Sequence, residues 1–230
     1  MRTDLPAAVL WDMDGTLVDT EPFWQQAEEK LVTSFGGRWR AEDGLAQVGM
    51  SLWVSAEMLQ AKGVPWDTAR IIDYLQAEVM GRLAREVPWR PGARELLAEL
   101  REAGVPTALV TMSMRPMAEQ VAAAARRDGP IFDVIVTGSD VDQPKPHPEP
   151  YLRAMEQLGV RPDLSVAIED SPPGLASAVT AGASAVGVPH TVDLPPGTGY
   201  VVWPTLAGRH IADLAALVPR DTEVEEELAS

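Results

Sequence analysis

The chain has 230 residues, enough for one large domain or for one domain carrying a sizeable insertion. Its 46% hydrophobic content supports a buried core, yet no apolar run approaches the roughly 20 residues that span a bilayer, so no membrane partner is expected. A net charge of −15 argues against nucleic acid, whose backbone needs clustered Lys and Arg, and the lack of cysteine excludes disulfides, thiolate metal sites and Cys nucleophiles.

At the N-terminus an acidic residue and a proline (Asp4, Pro6) stand where a signal peptide would build its apolar segment. No targeting segment is read there, and a cytoplasmic protein is expected. Ala7 to Trp11 reads as a buried strand. About seventy residues then separate it from the next α/β element, where a connection of about 2–6 residues is usual. This stretch is not low-complexity. Phe23, Trp24, Ala27 and Leu31 share one helical face, and Leu52 to Leu59 and Ile71 to Leu83 also read as helix. We therefore expect an inserted all-helical cap over residues 20–86, joined by two short hinges near Asp19-Thr20 and Val87-Pro88.

Beyond the insertion, Pro91-Gly92 opens a helix carrying Leu96, Leu97 and Leu100, which Gly104 closes. Strands are predicted at Val105 to Val110, Phe132 to Val136, Ser165 to Ile168 and Ala183 to Val188. Helices are predicted from Pro148 to Leu158, ended by Gly159, and from Pro172-Pro173 to Gly182. Repeated strand, helix, strand implies an α/β fold: a Rossmann-like parallel sheet flanked by helices, formed by residues 1–19 and 87–230. The run Glu223-Val224-Glu225-Glu226-Glu227 reads as a solvated tail, and a monomer is expected.

Four places carry residues suited to chemistry. Asp12-Met13-Asp14-Gly15-Thr16 ends the first strand, and a bend at Gly15 lets both carboxylates enter one crevice. A nucleophilic carboxylate beside a second carboxyl suits stepwise phosphoryl transfer; the plainer reading is an acidic strand-end turn. Asp170, in Glu169-Asp170-Ser171, follows a strand and precedes a proline-started helix, where an acid also serves the helix dipole. Lys145 lies between prolines in Pro144-Lys145-Pro146-His147-Pro148, either a fixed point charge or a solvated loop lysine. Thr111-Met112-Ser113 follows the second strand, where Thr111 could equally be a helix cap. Asp12, Thr111, Lys145 and Asp170 all fall at or beyond the carboxyl ends of parallel strands, the rim where open α/β sheets bind ligands. Four carboxylates (Asp12, Asp14, Glu169, Asp170) against Lys145 could not hold a phosphate monoester without a divalent cation, and all-oxygen ligands favour Mg2+. The three histidines, His147, His190 and His210, are too dispersed to suggest zinc, and His147 reads as a loop residue. Trp24 and Trp53 read as core, with room for one of them to line a pocket.

These residues, taken as an ordered set, resemble the haloacid dehalogenase superfamily phosphatases, in the branch that includes β-phosphoglucomutase and phosphoglycolate phosphatase. The resemblance covers residues 7 to about 190; Trp11 stands where that family more often has phenylalanine, and Met112 is an unusual choice after the motif threonine. It implies that Asp12 attacks phosphorus and that Asp14 protonates the leaving oxygen and later activates water. It implies that Thr111, the N–H of Met112 and Lys145 bind the phosphoryl oxygens. It implies that Mg2+ is held by Asp12, the backbone carbonyl of Asp14, and Asp170, with Glu169 either a ligand or one layer further out. Asp14 favours phosphate-ester chemistry over dehalogenation, because family dehalogenases and phosphonatases lack an aspartate there. The implied partner is a small-molecule phosphate ester, a sugar or polyol monophosphate. A phosphomutase and an inactive binding protein are the alternatives. Against the mutase, Leu52 follows Gly49-Met50-Ser51 where those enzymes carry an arginine, and Trp24 replaces a histidine. Arg38, Arg40 or Arg82 could still supply a cation for a second phosphate.

Overall fold

The computed structural model describes residues 5–47, 50–125, 131–195 and 197–219; Gly49 and the acidic run at 223–227 lie outside the described residues. Six parallel strands form one sheet: β1 (Ala8–Trp11), β2 (Thr107–Val110), β3 (Val134–Val136), β4 (Ser165–Glu169), β5 (Ser184–Gly187) and β6 (Tyr200–Val202). Their order is β3-β2-β1-β4-β5-β6. Every residue of β1, β2 and β4 is buried, which is why these runs show no polar alternation. Along β1, Val9 and Trp11 enter one apolar cluster while Ala8 and Leu10 enter another, so each face of the sheet has its own core.

Between β1 and β2 the chain forms α1 (Glu21–Ser34), α2 (Ala41–Leu45), α3 (Leu52–Ala61), α4 (Thr68–Leu83) and α5 (Ala93–Ala103). The first four make the helical insertion. Trp24, Ala27 and Leu31 of α1 pack with Ile71, Leu75 and Val79 of α4, as the stripe of apolar positions demands. Side-chain caps fix two of the starts: Ser51 accepts from the Val54 N–H and Asp67 from the Arg70 N–H. Trp53 departs from expectation, being 57% exposed on α3 rather than core.

The two connections to the insertion pair with each other. The Asp19 N–H donates to the Pro88 carbonyl at 2.7 Å and the Arg90 N–H to the Leu17 carbonyl at 3.0 Å. Beside this neck His190 lies 2.7 Å from Asp19 and also contacts Arg90. On its far side the insertion rests on α6 (Arg115–Ala125), where Gln120 donates to the Met80 carbonyl of α4 at 3.2 Å.

The remaining helices are α7 (Glu149–Leu158), α8 (Pro172–Thr180) and α9 (Ile211–Ala215). Gly92 adopts φ +85° where a Cβ would strike the backbone of Leu206, so only glycine lets α5 begin there. β2 starts at Thr107 rather than Val105 and β3 at Val134 rather than Phe132. Pro106 has no N–H to give a neighbouring strand, although its carbonyl accepts from Val9 at 3.0 Å. No helix among the described residues is long and apolar enough to cross a membrane.

Candidate active site

The sheet brings the four sequence motifs to one rim. β1 delivers Asp12 and Asp14, β2 delivers Thr111 to Ser113, and β4 ends at Glu169 with Asp170 next. The bend after Asp14 depends on Gly15, whose φ of +85° is left-handed and whose missing Cβ leaves the space that the Asp170 carboxylate fills. Thr16 donates to Asp170 at 3.3 Å from the same turn.

Lys145 arrives from the loop after β3. Its Nζ lies 2.7 Å from Asp12 Oδ1 and 2.6 Å from Glu169 Oε1, and it donates to the Val110 carbonyl at 2.9 Å. The ammonium thus has three acceptors within reach at the sheet rim, and the solvated-loop reading of Lys145 is excluded. Its backbone N–H meets the Met112 Sδ at 3.4 Å, which fastens this loop to the end of β2. Glu169, fully buried, also accepts from the Tyr151 hydroxyl at 2.7 Å and from Ser171 at 3.3 Å.

Electrostatics follow from this crowding. Burial pushes the Asp12 carboxyl from 3.8 up to about 7, Glu169 adds repulsion, and Lys145 opposes both. Burial likewise raises Asp170 well above the usual carboxylate range, reinforced by Asp12 and Glu169. Burial works against the charged form of Lys145, but Asp12 and Glu169 outweigh it and hold the ammonium above its ordinary range. Tyr151 is raised by burial and by Glu169, so it remains a hydrogen-bond donor.

Asp12, Glu169 and Asp170 are buried and can each offer an oxygen within 4.8 Å of the others, so three acids face one ammonium. The donor set is all carboxylate, which suits a hard divalent cation such as Mg2+, and an added positive charge would relieve the repulsion that raises Asp12 and Asp170. The residues present fit the ion. The Asp14 carboxylate stands outside this triad.

Asp14 instead takes four donors. Thr20 and Trp24 donate to Oδ1, the latter at 3.3 Å, while Ser113 at 2.7 Å and Thr111 at 3.4 Å reach Oδ2. Thr111 is buried and its hydroxyl also accepts the Ser113 N–H at 3.0 Å. Asp14 thus bridges the β2 end of the sheet to the first helix of the insertion. Thr111, Met112, Ser113 and Lys145 line, with Asp12, Asp14 and Asp170, a cleft whose opposite wall comes from α1 to α3. His147 lies away from it in the loop before α7, where Nδ1 accepts the Glu149 N–H at 3.2 Å.

Reading the sequence overlooked several residues of this site. Ser113 and Thr20 are the principal partners of Asp14, and Tyr151 and Ser171 steady Glu169. Glu21 and Glu28 face the cleft from α1; burial raises them from 4.5 to about 7 and about 8, with Asp14 and then Asp19 adding to Glu21 and Glu21 adding to Glu28. The signal was present: Glu28 interrupts the apolar stripe of Trp24, Ala27 and Leu31.

Comparison with known proteins agrees with this rim. Residues 6–182 match the family model for haloacid dehalogenase-like hydrolase. Hexitol phosphatase B of Escherichia coli (strain K12) is 30% identical over 187 residues, covering 79% of this chain and 83% of its own. The phosphorylated carbohydrates phosphatase of Thermotoga maritima is 32% identical over 192 residues, covering 81% of this chain and 87% of its own. The crystal structure of a CbbY variant from Rhodobacter sphaeroides in complex with xylulose-(1,5)bisphosphate superposes with a TM-score of 0.81 at 28% identity, covering 94% of this chain and 100% of that one. A matching family model over most of the chain, on a parallel sheet whose rim gathers Asp12, Thr111, Lys145 and Asp170, establishes that the chain belongs to the haloacid dehalogenase-like hydrolases.

Proposed function

We propose that this protein is a magnesium-dependent phosphatase that hydrolyses a small sugar or polyol monophosphate through an aspartyl-phosphate formed on Asp12. The observation that carries the proposal is the buried pairing of Lys145 with Asp12 and Glu169, directly beside Asp14, at the sheet rim. The names of the relatives that act on phosphorylated carbohydrates and hexitols support the substrate class.

In this reading Asp12 forms a bond to phosphorus while the bond from phosphorus to the ester oxygen breaks, and Asp14 passes a proton to that departing oxygen. Asp14 then takes a proton from water, whose oxygen displaces Asp12 and releases inorganic phosphate. Thr111, the Met112 N–H and Lys145 hold the transferring oxygens, with Ser113 keeping Asp14 aligned. Asp12 and Asp170, with the Asp14 carbonyl, would hold Mg2+, which supplies positive charge against the phosphoryl oxygens. Glu169 acts one layer out, since Lys145 and Tyr151 both occupy its Oε1. Residues 20–86 form the cap and residues 1–19 and 87–230 the core, the cap closing over the site about the neck. Trp24 and Leu52 line the cleft and, among the described residues, no arginine does, which supports water over a second sugar oxygen as acceptor.

Replacing Asp12 with Asn tests the proposal. We expect no phosphate release from 4-nitrophenyl phosphate with Mg2+, an unchanged circular dichroism spectrum, and loss of fluoroberyllate capture. Asp14→Asn should slow turnover by about 10²–10⁴-fold. Near-wild-type turnover by the Asp12 variant would remove the covalent step.

A further inference from the structure

The wall of the cleft facing the phosphoryl site carries two carboxyls, a primary amide and a hydroxyl among apolar groups, and no cation among the described residues. Glu28 is 5% exposed on α1, and among the described residues its carboxyl has no hydrogen-bond or ion-pair partner. Gln47, after α2, is 7% exposed; its Nε2 donates to the Asp43 carbonyl at 3.3 Å, leaving Oε1 buried without a partner. Glu21, half-buried two turns earlier on the same face of α1, adds a second carboxyl to this wall. Among the described residues the only cation lining the cleft is Lys145, which is paired with Asp12 and Glu169 at the phosphoryl end. A buried amide oxygen without a donor is costly, so a group that brings donors into the cleft would relieve Gln47 and could reach the Glu28 carboxyl on the same wall.

We infer that Glu28 and Gln47 are the specificity-determining residues of this enzyme, reading hydroxyl or ammonium donors on the alcohol part of the ester and rejecting a second anionic group. This deepens the phosphatase reading and rests on it. The donors approach Glu28 and Gln47 Oε1 while the phosphoryl end sits against Asp12, so both ends of the substrate are held across the cleft. A second phosphate or a carboxylate at that position would meet Glu21 and Glu28 with no positive charge to receive it. A CbbY variant has been crystallised with a bisphosphate, whereas the cleft of this chain is lined by Glu21 and Glu28. Burial already keeps Glu28 protonated near neutral pH, and an ammonium donor would draw that proton off.

The test compares kcat/KM for sorbitol 6-phosphate, glucosamine 6-phosphate and glucose 1,6-bisphosphate, each divided by that for 4-nitrophenyl phosphate, in wild type, Glu28→Gln, Glu28→Leu and Gln47→Leu with Mg2+. Wild type is expected to prefer one or both monophosphates over the bisphosphate. Glu28→Leu is expected to lower the monophosphate ratio by about 10–100-fold, the loss of a hydrogen bond to a charged or neutral partner. If Glu28→Gln preserves the sorbitol ester ratio, hydroxyls are the donors; if it lowers the glucosamine ester ratio selectively, the ammonium is. Glu28→Gln is nearly isosteric, so it carries the test should Glu28→Leu fail to fold. Ratios unchanged in Glu28→Leu and Gln47→Leu, or a wild type that prefers the bisphosphate, would overturn the inference while the phosphatase reading stands. A wild type that releases no phosphate from any of the four esters overturns both.

Discussion

Glu28 occupies a place where a carboxyl group is expensive, on the buried face of α1 between Trp24 and Leu31. Its carboxyl titrates at about 8 in the fold against 4.5 in a free chain, chiefly through burial. Between those values the unfolded chain binds fewer protons at this position than the folded one, so the contribution of Glu28 to stability is greatest below about pH 4.5 and is lost as pH rises through 8. Glu28→Gln is therefore expected to raise the melting temperature at pH 8.5 and to change it little at pH 5. Calorimetry at the two pH values measures this, and an equal gain at both would show that the carboxyl is not titrating as burial dictates. The residues that sequence reading found, Asp12, Asp14, Thr111, Lys145 and Asp170, are those that directly follow a strand or sit in a proline-fixed loop, so local rules expose them. Thr20 and Tyr151 gain meaning only from partners that folding brings to them, whereas Glu28 was visible as a break in the apolar stripe of α1. Tyr151 meets Glu169 across 18 positions and Ser113 meets Asp14 across 99, separations no local pattern records.

At the scale of elements, α8 and β4 are tied through one glycine. Gly174, the third residue of α8, donates to Ser171 at 3.2 Å and faces the Glu169 carboxylate with no room for a Cβ. Glu169 has nowhere to retreat, because Tyr151 and Lys145 hold it from the other side. Gly174→Ala is expected to cost about 1–3 kcal/mol of stability, as overpacking does, and to lower kcat by displacing Lys145 from Asp12. Chemical denaturation and steady-state rates check the two effects. A variant with wild-type values for both would mean that Glu169 moves freely. The strands were legible because central parallel strands are continuous apolar runs, and the helices begun by proline and ended by glycine were legible from their ends. α2, α6, β6 and α9 were not. In α6 the buried positions Met117, Ala118, Val121 and Ala125 are half alanine, β6 is a three-residue edge strand largely exposed, and α2 and α9 have five residues each. Trp53 misled for a related reason: aromatic character signals burial, and here α3 turns it outward.

For the molecule as a whole, the triad of Asp12, Glu169 and Asp170 sets a charge imbalance that a bound divalent ion would correct. Chelation is expected to silence phosphate release and Mg2+ to restore it, with Ca2+ inhibiting because its longer, looser coordination misplaces the nucleophile. Binding to the folded state should also stabilise it, by about 2.7 kcal/mol at a hundredfold excess over Kd. Thermal unfolding with and without Mg2+ measures that shift, and Asp170→Asn should shrink it; full activity after exhaustive chelation would contradict the charge argument. The neck has a different kind of consequence. Because Asp19 and Pro88 are hydrogen-bonded neighbours, the chain leaves the sheet and returns to it at nearly the same point. A segment closed at its base in this way can lengthen, shorten or exchange its contents at little entropic cost to what lies outside it. Evolution can then rewrite residues such as Glu28 and Gln47 without disturbing Asp12, Lys145 or Asp170, so that a single catalytic rim is inherited unchanged while the preferred alcohol drifts from one descendant to the next.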